Sequence, residues 1–159
     1  MKILKLNNRV LLALSCLCFS IVACDKDDPQ IRFKEYSLTA VGNSAVTGKV
    51  RFSENADKSF NILVSLNKSV KDTVHLVRLH NGSVANPGSV ALSLANLTGT
   101  GAAASSETRN IKQVKLPNNS MKNVTYDSIL NYNAYLNVYY SATKSDSLIT
   151  QGNVGKNVN

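Results

Sequence analysis

No tryptophan occurs among the 159 residues, only two are histidine, and the three cysteines all fall within the first 24 positions. Each shortage excludes something. Tryptophan offers the largest flat ring for stacking, so its absence weakens any sugar-stacking reading. The histidines, His75 and His80, are five residues apart. On a strand an odd spacing puts them on opposite faces, so they do not share an ion. A catalytic zinc wants three protein ligands with a held second shell, and no close acid completes such a set. No metal and no cofactor are therefore expected. Serine is plentiful, but no Gly-x-Ser-x-Gly elbow is present, and the 10 acids are scattered without proposing a catalytic pair. The chain is not expected to be an enzyme. Its 18 basic residues are also scattered, with no run interleaved with aromatics, so nucleic acid is not an expected partner.

What is present begins at the N-terminus. Lys2, Lys5 and Arg9 stand in the first nine positions without an acid, and the fourteen residues Val10 to Ala23 carry no charge. This is the layout of a secretory signal. Fourteen helical residues reach roughly 21 Å, short of the ~30 Å hydrocarbon core, so a permanent spanning helix is not expected. The run ends Ile21-Val22-Ala23-Cys24, which resembles the lipobox of bacterial lipoprotein precursors. Cys18 follows the bulky Leu17, and Cys16 comes too early in the apolar run. The resemblance implies removal of residues 1–23, a thioether from Cys24 to diacylglycerol and acylation of the new amino terminus. Several acyl chains together hold a protein to a membrane where one alone is marginal.

Asp25-Lys26-Asp27-Asp28 follows directly. It resembles the acidic surface-export signal of certain gut and oral Gram-negative anaerobes; the alternative is a solvated leash. The expected location is the outer membrane of a Gram-negative bacterium, facing the cell surface, with a periplasm-facing domain as the alternative. Removing 23 of the 159 residues leaves 136, with 15 basic against 10 acidic residues. That suits one domain, at residues 32–159, behind a short linker at 24–31. Cys16 and Cys18 leave with the signal and Cys24 carries lipid, so no disulfide or thiolate metal site is expected.

Beyond the linker the pattern has period two. Val46, Gly48, Val50 and Phe52 alternate with Thr47, Lys49 and Arg51; Ile62, Val64 and Leu66 alternate with Leu63 and Ser65. Strands are expected at Phe33–Ala40, Thr73–His80, Ser89–Leu94, Ile111–Leu116, Ala134–Ser141 and Leu148–Val154, with turns at Asn81-Gly82 and Pro87-Gly88. Leu97 to Thr108, rich in Gly, Ala and Ser, reads as a mobile loop. Val124 to Leu130 reads as a turn of helix with Asp127 near its start and Ile129 and Leu130 inward. No helix long enough for parallel crossovers separates the strands, so an all-β chain of seven to nine short strands in antiparallel two-layer packing is expected.

Three features occur in an order that resembles the CHRD domain, named from chordin. They are Leu38-Thr39-Ala40-Val41-Gly42 leading to Gly48, Arg78-Leu79-His80-Asn81-Gly82 before Pro87-Gly88, and Tyr135-Leu136-Asn137-Val138-Tyr139 before Gln151-Gly152-Asn153-Val154-Gly155. The resemblance covers about 120 residues. It implies a single Greek-key β-sandwich of Ig-like or superoxide-dismutase-like shape and implies little biochemistry. The chain departs from the family pattern at Arg78, where a first histidine is usual, and at Tyr139, where histidine is frequent. A metal site built on those positions would keep only His80.

The richest surface candidate is the run from Asn131 to Tyr140. Alternation puts Ala134, Leu136, Val138 and Tyr140 on one face and Tyr135, Asn137 and Tyr139 on the other, expected to be exposed. Two tyrosines flanking an amide can stack on a sugar ring, anchor a protein partner or simply cover an outer sheet face. Three Asp-Ser/Thr-apolar motifs, Asp72-Thr73-Val74, Asp127-Ser128-Ile129 and Asp146-Ser147-Leu148, resemble O-glycosylation acceptors of envelope bacteria, which would place glycans on Thr73, Ser128 and Ser147. The sum is a surface lipoprotein with a non-catalytic binding or structural module. The alternatives are a glycan-binding accessory protein and a degenerate metal-binding protein.

Overall fold

A computed structural model describes residues 31–158. The expected Cys24 lipidation and Asp25 to Asp28 export tract lie outside the described residues. Twelve strands occur among the described residues: β1 (Phe33–Ala40), β2 (Gly48–Glu54), β3 (Phe60–Leu66), β4 (Val74–His75), β5 (Val77–Gly82), β6 (Pro87–Ser93), β7 (Leu97–Thr98), β8 (Ala104–Ile111), β9 (Gln113–Lys115), β10 (Met121–Asn123), β11 (Asn133–Tyr139) and β12 (Leu148–Gly155), with one helix, α1 (Tyr126–Leu130).

Eight strands run in the order β6-β5-β11-β12-β1-β2-β3-β8, every pairing antiparallel. They curl into a half-barrel, an all-β sandwich as the period-two pattern predicts. β1 is the fold line. Residues Phe33 to Leu38 pair with β2, and Thr39 and Ala40 pair with β12. The crossing is tight at Gly152, where a Cβ would stand 2.4 Å from the Ser37 carbonyl oxygen. Any side chain there would push β12 off β1.

The core is one cluster drawn from both halves. Leu38, Val50, Phe52, Phe60, Ile62 and Val64 come from β1 to β3, and Val77, Leu79, Leu136, Val138 and Val154 from β5, β11 and β12; all are at most 2% exposed. Phe52 anchors an aromatic file, edge-on to Tyr36 at 5.6 Å and stacked near Phe60 at 6.0 Å. Helix α1 has the expected position. Thr125 caps it, its hydroxyl accepting from the Ser128 N–H while Ser128 answers the Thr125 N–H. Ile129 is buried, Leu130 packs against the core half-buried, and Arg32 ties the helix to the sheet through Asp127 and Glu54.

The strand expectations require correction. Twelve strands are found among the described residues where seven to nine were expected, and Ile111–Leu116 is not one strand, since Ile111 closes β8 and β9 runs Gln113–Lys115. Leu97–Thr108 is not a loop, since it contains β7 and most of β8. Ala104, Ser106 and Thr108 pair with Leu66, Val64 and Ile62; Ala104 packs against the core, yet Ser106 and Thr108 meet polar backbone instead. The Ala95 N–H donates to Thr108 Oγ1 and Ser106 Oγ donates to the Ala95 carbonyl. A strand facing polar backbone needs hydroxyls where a core strand needs hydrocarbon, so no hydrophobic period marks it. Thr73–His80 is likewise not one strand. It breaks at Leu76, and β4 leaves to pair with β7 while β5 stays in the main sheet.

Candidate functional site

The alternation predicted for β11 holds, with Ala134, Leu136 and Val138 inward at 1% exposure or less. The expected exposure of the opposite face does not. Tyr135, Asn137 and Tyr139 are 4%, 5% and 9% exposed. The cause lies across the strand pairs, where Tyr135 faces His80 and Asn153 and Asn137 faces Arg78 and Gln151. The His80 ring stacks on Tyr135 with centroids 4.9 Å apart, and the Arg78 guanidinium lies 5.5 Å from the Tyr139 centroid. The rings are occupied by neighbours and present no bare stacking surface.

Hydrogen bonding fixes the protonation of this cluster. His80 Nδ1 sits 3.2 Å from the Gly88 carbonyl. A carbonyl only accepts, so Nδ1 carries the hydrogen and Nε2 has a lone pair. Tyr139 Oη, 3.0 Å from Nε2, must donate its single proton there. Its oxygen then needs a donor, and Asn137 Nδ2 supplies one at 3.2 Å. The amide orientation follows from the carbonyl of Gly88 at the far end of the chain. Asn137 Oδ1 consequently points away from Tyr139, and it is buried with no hydrogen-bond partner among the described residues. Burial lowers the His80 pKa below its ordinary 6.5, partly offset by the Gly88 bond and reinforced by the charge of Arg78. Neutral His80 is what the relay requires.

Arg78 differs from its counterparts. Arg32, Arg51 and Arg109 each pair with a carboxylate, whereas Arg78 has no hydrogen bond or ion pair among the described residues. Register continues its row across four strands: Arg78 opposite Asn137, Asn137 opposite Gln151, Gln151 opposite Thr39. Beside the row runs a groove of about 530 Å³, lined by Glu35, Ser37, Thr39, Gln151 and Asn153 with Val84 and Val158 as apolar walls. The Val84 N–H donates to Asn153 Oδ1, which brings the β5–β6 turn over the sheet. That turn depends on Gly82, whose φ is +91°.

Sequence reasoning named Tyr135, Asn137 and Tyr139, met Arg78 only as a departure from the CHRD pattern, and missed Gln151 and Thr39 as members of the site. Arg78 and His80, two apart on a strand, share a face by the same alternation applied to β11. That signal was available. The pairing with Gln151 and Thr39 was not, because register between distant strands has no local mark.

His75 is separate from this cluster and fully buried. Its Nε2 accepts from the Val70 N–H at 3.1 Å, and its Nδ1 donates to the Tyr140 carbonyl at 2.7 Å. It clasps three chain segments. The two histidines are thus parted by a strand break as well as by parity, each held by internal bonds. Of the O-glycosylation candidates, Ser147 is exposed, Thr73 is half-buried and donates to the Lys71 carbonyl, and Ser128 is exposed with its hydroxyl engaged in the helix cap.

A larger hollow of about 600 Å³ opens near Asp57, Lys112, Gln113 and Asn123. Its polar groups satisfy one another. Lys112 reaches Asp57 at 2.8 Å, and Gln113 donates to Asn123 at 2.8 Å. The Lys112 ammonium and the Ser59 hydroxyl and N–H hold the Asp57 carboxyl down at about 2.

Comparison with known proteins gives no matching family model, no matching curated protein and no matching solved structure. The role of the domain must be read from its own residues.

Proposed function

We propose that this chain is an outer-envelope lipoprotein anchored through Cys24, whose CHRD-like sandwich is a non-catalytic contact module held out at the cell surface. The observation that carries the reading is Ile21-Val22-Ala23-Cys24 closing an uncharged run that follows Lys2, Lys5 and Arg9. The domain's first strand starts at Phe33, so the intervening leash spans at most about 30 Å fully extended. The contact surface works close to the membrane. The non-catalytic reading is supported by the burial of both imidazoles and of Tyr139, whose hydroxyl bonds His80, which leaves no open face for a substrate at either ring.

Growth of the native host with an alkyne-bearing palmitate tests the anchor. Label is expected on the wild-type chain and absent from Cys24→Ala; an unlabelled wild type sinks the reading. Protease treatment of intact cells then tests display. The domain is expected to be digested, and Asp27→Ala with Asp28→Ala is expected to protect it. Survival of the wild-type domain places it in the periplasm and returns the acidic tract to being a leash.

A further inference from the structure

We infer that the row Arg78–Asn137–Gln151–Thr39, with the groove beside it, is a binding site for a carboxylate-bearing sugar chain. This deepens the contact-module reading and does not depend on the lipid anchor. Three features of the row set the chemistry of the ligand.

The first is an unspent cation. Arg78 is the one described arginine without a carboxylate among the described residues, and its guanidinium is held near the Tyr139 ring instead of free in solvent. A guanidinium fixed in this way offers two parallel N–H groups to a carboxylate. Two acids bear on the site: Glu35, which itself lines the groove, and Glu54 on β2. Glu35 is held by Arg51 at 2.8 Å and by Lys49 at 3.7 Å, and Glu54 by Arg32 and Lys58. Neither is free to take Arg78's place as the anion.

The second is an unspent acceptor. Asn137 Oδ1 is buried without a donor, and the relay from Gly88 through His80 and Tyr139 prevents the amide from turning to relieve it. A carboxylate cannot satisfy this atom, since it has no hydrogen to give. A hydroxyl can. The register neighbour of Asn137, Gln151, lines the groove, and no hydrogen bond among the described residues holds the Gln151 side chain.

The third is the groove. Ser37, Thr39, Gln151 and Asn153 supply hydroxyls and amides along about 530 Å³, and Val84 and the 47%-exposed Val158 supply apolar contact for the C–H face of a ring. One ligand class carries a carboxylate, neighbouring hydroxyls and apolar ring faces together: a uronic-acid oligosaccharide. A neutral sugar leaves Arg78 unpaired, and an acidic peptide such as polyglutamate, though its N–H groups could reach Asn137 Oδ1, brings no ring face to Val84 and Val158.

The test is titration of the full chain as purified from its host, kept in detergent micelles, with oligogalacturonate, its methyl ester and polyglutamate. Saturable binding of oligogalacturonate is expected, about tenfold or more weaker for the ester and for polyglutamate. Arg78→Gln and Gln151→Ala, with melting temperatures near wild type, should each weaken it by a similar factor. Absence of saturable binding, equal binding of the ester or polyglutamate, or unchanged binding by Arg78→Gln overturns the proposal. Those outcomes leave palmitate labelling of Cys24 untouched, so failure of this site and failure of the anchor are told apart.

Discussion

On the outer face of β1, β2, β3 and β8, Glu35 pairs with Arg51 and Lys49, Glu107 with Arg109, and the partner cations are 45% or more exposed. On the outer face of β5, β11 and β12, Tyr135, Asn137 and His80 are under a tenth exposed and engage one another instead of water. Both faces follow the same alternation along their strands. What separates them is side-chain size and what the connections do. The first carries long, flexible charges with no turn over it, so its ion pairs stay in high dielectric. The second carries flat rings at matched register and a β5–β6 turn bonded to Asn153, so it becomes a small second interior with polar members.

The comparison breaks most readily by truncation. Tyr135→Ala removes a buried ring stacked on His80 and should lower unfolding free energy by about 3 to 4 kcal/mol. Arg51→Ala removes a half-exposed partner of Glu35 and should cost less than about 1 kcal/mol. Urea unfolding of both measures the gap. Equal losses would mean that the second face is no interior.

A smaller effect sharpens the electrostatic half of the contrast. Burial lowers the His80 pKa, so below the ordinary histidine value of 6.5 the unfolded chain binds a proton that the folded chain refuses. Stability contributed by neutral His80 is full above that value and is lost as pH falls toward the lowered folded-state pKa. Thermal unfolding between pH 8 and 5, in roughly unit steps, should therefore show a slope that His80→Gln reduces. An identical slope in the variant would place His80 in water. Asp57 works in a lower window. Its carboxyl is held at about 2 against an ordinary 3.8, so its contribution persists until acid brings pH through that interval.

These contrasts explain what could be read from the sequence. β1, at Phe33–Ala40, and the inward files of β2 and β3 were legible because apolar residues at every second position meet apolar core. β8 was illegible because its inward Ser106 and Thr108 meet the backbone of Ala95. The strand break at Leu76 was hidden for a related reason. Thr73 to His80 alternates well enough for one strand, and only the distant partner Leu97–Thr98 draws β4 away. At the candidate site, period two assigned Tyr135, Asn137 and Tyr139 to one face, but burial of that face depends on His80 and Arg78 arriving by long-range pairing. Alternation tells which way a side chain points and is silent on what it meets.

The smallest expected effect is the sharpest. Asn137 is 5% exposed in the middle of a sheet, and deleting a buried hydrogen-bonding amide commonly destabilises by about 1 to 3 kcal/mol. Here half of the amide is already unsatisfied. Asn137→Leu loses the bond from Nδ2 to Tyr139 Oη but also relieves the unpartnered Oδ1, in a side chain of similar shape. Tyr139 keeps its donation to His80 Nε2. The two terms oppose each other, and the net change in unfolding free energy should fall within about 1 kcal/mol of zero. A loss of 2 kcal/mol or more, by the scale of a fully paired buried amide, would mean that Oδ1 is satisfied in solution. If stability holds while oligogalacturonate binding falls, the amide is kept for the ligand and not for the fold.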